Sequence, residues 1–242
     1  MPATPIEPEK HRRKKFRRAA TATLAILVAY LAIAYIAAPG FWRLRDADNP
    51  PLIMRTTTTQ DIPGDPINVG LVGSREQVLR AFAAADWRPA DAITLRSSIE
   101  IGLSVVFDRP DTEAPVSTLL YDGRKQDLAF EKPVGESADQ RHHVRFWQTK
   151  PAADDPRPLW LGAASFDRGV GLSHDTGQIT HHIGPDLDAE RDNLMRDLEN
   201  AGQLQSTYEI PGSGATTTGR NGGGDPFFTD GKAMVGVLKT GP

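Results

Sequence analysis

The hydrophobic pattern opens on residues 19–38, AATATLAILVAYLAIAYIAA, twenty positions without a charge. At 1.5 Å per residue such a helix reaches roughly 30 Å, the thickness of a bilayer's hydrocarbon core. It has no polar face, which a helix buried at the surface of a soluble domain would show. The basic run from His11 to Arg18 precedes it, and Phe41-Trp42-Arg43 follows. The pattern therefore predicts a single-pass anchor with a cytoplasmic N-terminus and Trp42 at the far interface. A cleavable signal is the rival reading, but its apolar core is usually about 7–15 residues and ends in a small-x-small site. Here the core is longer, and Ile36-Ala37-Ala38-Pro39 offers a poor −3 residue and a proline just after the cut.

After this segment the pattern changes period. Residues 39–66 are polar and proline-rich, with Asp46–Pro51, a Thr56–Thr59 run and Ile62-Pro63-Gly64-Asp65-Pro66, and read as a linker. Ile67–Val72 reads as a first strand. Ser74-Arg75-Glu76-Gln77 is a capping box, and Val78, Leu79, Phe82 and Ala85 follow at helical spacing. A second helix from Asp91 would carry Leu95, Ile99, Leu103 and Val106 on one stripe, although Val105-Val106-Phe107 could equally be strand. Asp122-Gly123 predicts a hairpin between Val116–Tyr121 and Lys125–Lys132. Arg141–Gln148, Leu159–Phe166 and Gln178–Ile183 read as further strands. A helix follows Gly184-Pro185-Asp186, with Leu187, Leu194, Met195 and Leu198 as its stripe and Gly202 at its C-terminal cap. Gln203–Ile210 reads as strand, and Asp230-Gly231 as a second hairpin turn. Hairpins with two or three helices predict an α+β fold: a mainly antiparallel sheet with the helices packed on one face, preceded by one N-terminal transmembrane helix. The expected layout is a basic stub (1–18), a span (19–38), a linker (39–66) and one domain (67–242).

Charge changes this picture in one respect. The chain carries −3 overall, but residues 1–18 hold seven Lys/Arg and two Glu, which leaves the remainder at −8. An acidic folded part argues against a nucleic-acid partner. The absence of cysteine excludes disulfides, thiolate nucleophiles and cysteine zinc sites.

Candidate chemistry concentrates between Arg124 and Ile183, where five of the six histidines lie. Side chains alternate across a strand. With Leu128, Phe130, Val144 and Phe146 facing the core, Asp127, Glu131, His143, Arg145 and Trp147 face away, and His142 turns inward. The same parity in Gln178–Ile183 sends Ile179, His181 and Ile183 inward and Thr180 and His182 outward. The predicted outer face thus carries Asp127, Glu131, His143, His182 and Arg145. As a catalytic cluster it would use imidazoles for proton transfer, carboxylates to orient them and arginine to hold an anion. As a plain surface it would be a solvated face with ion pairs such as Glu131 with Arg145. No HExxH or HxH spacing occurs, so no metal or other cofactor is expected. No Gly-x-Ser-x-Gly is present, and Ser165 and Ser173 lack an evident base. Arg168 and His174, in a glycine-containing loop between strands (Arg168–Thr176), are placed to meet a ligand.

Several strings together resemble one family: Asp65-Pro66-Ile67-Asn68-Val69, Gly123–Glu131, Arg141–Trp147, Trp160–Ala164, Phe166-Asp167-Arg168 and Thr176–Ile183. They are similar, in order, to the LssY C-terminal-like domain family. The resemblance covers most of residues 60–210. It implies a domain found on single-pass proteins and, in longer relatives, beside multi-pass segments of the DedA and type-2 phosphatidic acid phosphatase kinds. That setting implies a role in envelope lipid or lipid-phosphate processes, a bacterial inner-membrane location and a periplasmic domain. It implies no catalytic residues.

Three functions follow as expectations. The first is a non-enzymatic envelope module that binds an anionic lipid head group or a membrane protein partner through Arg124, Lys125, Arg145 and Arg168, with His174 nearby. The second is a hydrolase or phosphotransfer enzyme using His143, His182, Asp127 and Glu131. The third is a purely structural envelope protein.

Overall fold

The computed structural model describes residues 9–46, 54–91, 118–135, 140–151, 155–212 and 217–240, together with Thr94, Arg96 and Ile99. The N-terminal apolar stretch is helical throughout. Helix α1 (Glu9–Ala32) passes through a π-helical turn (Ile33–Ala37) into α2 (Ala38–Asp46). Pro39 explains the turn. It has no N–H to give the preceding carbonyls, and its ring crowds residue 35, so the wider turn just before it absorbs the mismatch. Within this helix Arg13–Arg45 is long and apolar enough to cross a membrane.

The rest is α+β with mainly antiparallel sheets. The strands of the large sheet are, in chain order, β3 (Val69–Val72), β4 (Arg88–Pro89), β7 (Leu128–Pro133), β8 (Arg141–Pro151), β9 (Pro158–Leu172), β10 (Ile179–Ile183), β11 (Leu204–Pro211) and β14 (Lys232–Leu238). Their spatial order is β11-β14-β3-β9-β8-β7-β4, with β10 paired to the far half of β9. Among the described strands of this sheet, β14 with β3 is the parallel pair. A second sheet orders β2 (Pro63–Pro66), β1 (Arg55–Thr58), β5 (Leu119–Tyr121) and β6 (Arg124–Lys125), and β12 (Thr218–Arg220) pairs with β13 (Pro226–Phe228).

Helices α3 (Arg75–Ala84) and α4 (Leu187–Asn200) lie on one face of the large sheet. Ser74 and Gln77 form the expected capping box, and Gly202 takes the left-handed conformation that a helix C-terminus favours. Val78, Leu79 and Phe82 from α3 and Leu194, Met195 and Leu198 from α4 meet Val69, Leu71, Leu128, Phe130, Val144, Phe146 and Trp160. Phe82 stacks on Phe130 at 4.0 Å and meets Trp87 and Phe146 edge-on. Burying each aromatic contributes on the order of 2–3 kcal/mol, so this layer is the main core.

Over β8 and β9 the opposite face is not solvated. The small sheet covers it, packing Leu119 and Tyr121 against Trp147, Leu161, Ala163 and Ile67. Three elements differ from the sequence expectation because of this second layer. The segment expected as linker carries β1 and β2, with Thr56 and Thr58 buried at period two and Thr56 Oγ1 donating to the Asp65 carbonyl at 2.7 Å. The stretch expected as one strand from Lys125 to Lys132 is two strands in different sheets. Asp122 and Gly123 both take positive φ and close the predicted hairpin, but the chain then changes sheet at Gln126-Asp127. Asp230-Gly231 is likewise a corner between sheets rather than a hairpin, since β13 pairs with β12 and β14 with β11 and β3. Of the helix expected from Asp91, Thr94, Arg96 and Ile99 are helical and the Asp91 carboxylate caps the Thr94 N–H at 2.7 Å; Leu95, Leu103 and Val106 lie outside the described residues.

A buried polar cluster as candidate functional site

Strand β8 places Arg141, His143 and Arg145 side by side on the face under the small sheet. Across the register Asp167 of β9 lies opposite Arg141, Ser165 and Glu131 flank His143, and Ala163 and Ala129 flank Arg145. The two alanines leave room for a long side chain to lie over them. All of Arg141, His143, Arg145, Ser165 and Asp167 are buried.

Arg141 organises one end. Its Nε donates to Asp167 at 3.0 Å, its Nη1 donates to Glu131 at 3.0 Å, and its Nη2 lies 3.3 Å from His181 Nε2. Arg145 organises the other, with Nη1 3.9 Å from Asp65 of β2. Burial drives the electrostatics. It raises the Asp65 carboxyl above its ordinary range, against the pull of Arg145 and with a further push from Asp167. Burial also raises Glu131, against Arg141 and Arg88. His143 is held well below the ordinary imidazole value by burial first and then by the charges of Arg145 and Arg141. It is therefore neutral at physiological pH. Burial works against the Arg145 charge too, and Asp65 and Asp167 oppose it.

A cavity of about 40 Å³ opens onto Asp65, Arg145, Ser165, Asp167 and His181, roofed by Asn221 to Gly223. One water needs about 10–15 Å³ on this measure, so the space suits a few waters or the end of a small polar group. It adjoins a wider cleft of about 140 Å³ lined by hydroxyls and amides, among them Thr58, Gln60, Ser173, Thr176, Gln178 and Thr180. Thr58, Thr180 and Gly222 border both spaces. Gly222 is required there, because a Cβ would stand 2.5 Å from Thr58 Cγ2. The cleft's outer wall touches the N-terminal helix. Gln178 Nε2 donates to the Ala34 carbonyl at 2.9 Å, Tyr30 Oη donates to the Gly177 carbonyl at 2.8 Å, and Trp42 Nε1 donates to the Asp175 carbonyl at 2.9 Å.

Of the residues singled out in the sequence, the structure brings together His143, Glu131 and Arg145. Asp127 stands apart at the sheet-to-sheet corner, where it accepts from the Gln148 N–H at 2.8 Å and lies 3.5 Å from Arg124. Arg124, Lys125 and Arg168 are exposed and do not line the cavity. The two histidines of β10 exchange the sides expected of them: His181 joins the polar cluster, while His182 turns to Asp225 (2.8 Å) beside His174. On β10 the side chains of Thr180, His181 and Ile183 are buried and His182 is half-buried, so alternation does not tell which of two interiors a residue faces. In addition, β10 pairs only with the end of β9, across a register shift at His182/Ile183. His142 does turn to the helix side, where Glu190 receives its Nδ1 at 2.8 Å.

The sequence pattern gives no role to Asp65, Arg141 and Asp167, and predicts His181 only as a core-side histidine. Strand parity already places Arg141 with His143 and Arg145, so that signal was available. Asp65 was concealed in a Pro-Gly-Asp-Pro string that reads as turn.

Residues 47–233 match the family model described as LssY C-terminus. Comparison with curated proteins and with solved structures finds no match. The matched span takes in both α3 and α4, the small sheet and every residue of the buried cluster; the chain belongs to the LssY C-terminus family.

Proposed function

We propose that this is a membrane-anchored envelope protein, cytoplasmic at its N-terminus and periplasmic in its domain, that receives an anionic lipid head group in the hydroxyl-lined cleft. The observation that carries the reading is the position of that cleft. Its wall residue Gln178 bonds the apolar helix at Ala34 on one side and Gln60 on the other. A head group at the bilayer surface would thus meet hydroxyl and amide donors first and Arg145 behind them. Charge supports the same direction. Burial raises both the Asp65 and the Glu131 carboxyls, which weakens the negative charge that would repel an anion. An anionic oxygen entering the inner cavity would meet the Arg145 guanidinium, a charge-assisted contact stronger than a neutral hydrogen bond.

The full chain in a neutral detergent, titrated with a short-chain phosphatidylglycerol and separately with the matching phosphatidylcholine, tests this. A ligand at about ten times its Kd stabilises by roughly 1.4 kcal/mol, or about 3–5 °C for a domain of this size. The anionic lipid is expected to give that shift, and Gln178→Leu and Thr180→Val to remove most of it. Equal small shifts with both lipids would sink the idea.

A second reading is favoured by one observation: Asp65, raised by burial, faces the same cavity as Ser165, Asp167 and His181. That arrangement suits a general acid in phosphoester hydrolysis. It predicts slow phosphoester turnover by the full chain that Asp65→Asn abolishes. Turnover that is absent, or unchanged in the variant, excludes it.

A further inference from the structure

We propose that His174, His182 and Asp225 form a binding site for a divalent transition-metal ion, with zinc the ion best matched to the donors. The three residues come from separate segments: the loop after β9, strand β10 and the loop before β13. Their ligand atoms all lie within 4.8 Å of one another. Both imidazoles address one carboxylate oxygen, Asp225 Oδ1, with His182 Nδ1 at 2.8 Å and His174 Nε2 at 3.4 Å. Metal–ligand bonds of about 2.0–2.2 Å in a tetrahedron put neighbouring ligand atoms roughly 3.4 Å apart. An ion could therefore enter between these atoms with side-chain shifts of about 1 Å, the His182–Asp225 contact opening and the wider separations closing.

The geometry is held from outside the triad. Asp225 is 1% exposed. Its other oxygen, Oδ2, accepts from the Ile183 N–H at 3.0 Å, and its own N–H donates to Asn221 Oδ1 at 2.9 Å. The His174 N–H donates to the Gly223 carbonyl at 2.9 Å, which fixes that loop against the other. His182 lies over Gly171, where any Cβ would stand 2.5 Å from Nε2. A carboxylate with a fixed second oxygen and the packed His182 imidazole are what orient a metal site, and the backbone of His174 is held beside them. Two nitrogen donors with one oxygen select a borderline ion such as zinc over calcium or magnesium, which take oxygen sets. The His174 side chain is 58% exposed, so the remaining coordination positions face solvent and would hold water or an anionic oxygen.

An ion here would clip the 173–178 loop to the 221–225 loop. Both loops wall the hydroxyl cleft, through Ser173, Thr176 and Gln178 on one side and Gly222 on the other. Metal occupancy would then stiffen the mouth of the cleft, whatever enters it. The site itself does not depend on the head-group reading.

The test uses zinc alone. The full chain, freed of any affinity tag and stripped with chelator, is titrated with Zn²⁺ against a chromophoric competitor, and its thermal midpoint is followed with and without the ion. The expected results are one ion per chain, a midpoint raised by zinc, and an affinity at least about 10-fold weaker in His174→Ala. His174 is exposed, so this variant keeps the fold; Asp225→Asn and His182→Ala should reduce binding to background. Failure to bind one equivalent, or equal affinity in wild type and His174→Ala, overturns the proposal.

Discussion

Arg141→Met is expected to lower folding stability by about 3–5 kcal/mol, the cost of removing one partner from a buried ion cluster. Arg141 lies between Glu131 and Asp167, each 3.0 Å from it, with side chains 12% and 4% exposed. Methionine fills part of the same volume but leaves both buried carboxylates without their nearest cation and with little water. Adding Glu131→Gln and Asp167→Asn to Arg141→Met removes the stranded charges and should restore most of the loss, since apolar or neutral replacements of whole buried clusters are often tolerated. Arg124→Met is the comparison. Arg124 is half exposed and its contact with Asp127 is a surface one, so its loss should fall within about 0.5 kcal/mol. Urea unfolding of the full chain in detergent, read by the fluorescence of the buried Trp147 and Trp160, measures all three. A loss below about 1 kcal/mol for Arg141→Met would show that the cluster is solvated.

The second large effect is a pH dependence carried by His143. Its pKa in the fold lies well below its value in the unfolded chain, chiefly through burial and then through the Arg145 and Arg141 charges. The unfolded state therefore binds a proton that the folded state refuses. The stability that neutral His143 permits is complete above the unfolded value of about 6.5 and is lost as pH falls toward the folded value, at up to about 1.4 kcal/mol per pH unit. Asp65 and Glu131 run the other way. Their raised values mean that the fold gains protons ahead of the unfolded chain, so acidification favours the fold between the folded and unfolded values. The wild type mixes both trends; His143→Gln keeps only the carboxylate trend. The stability of wild type relative to His143→Gln should thus be constant above about pH 7 and fall on going from pH 6.5 to 5, by at most about 1.7 kcal/mol. Parallel curves for the two proteins across that range would refute the placement of His143 in a dry interior.

How much of the site was legible follows from what strand parity can see. Alternation correctly set His143, Arg145 and Glu131 together and sent His142 to the helices, because β7 and β8 are regular and paired over their length. It misplaced Asp127, because the backbone changes sheet at that residue and alternation does not continue through a corner. It exchanged His181 and His182, because a buried side chain on β10 can face either of two interiors. Asp65 and Asp225 belong to segments of proline and glycine, whose local pattern reads as loop. Their role arises only when those loops fold over β9 and β10.

By itself the chain's pattern determined the long apolar helix, the capping box at Ser74, the Asp122-Gly123 hairpin turn, the glycine that ends α4 and the α+β class. Each of these rests on contacts within a few residues, or on a periodicity that one strand or helix displays alone. The tertiary structure decided that the polar face of β8 is an interior rather than a surface. Covering that face takes β1, β2 and β5, which are distant in sequence and weakly patterned. The same covering turns a row of alternating charges into a buried cluster, since burial raises Asp65 and Glu131 and lowers His143 only once water has been excluded from both faces of the sheet.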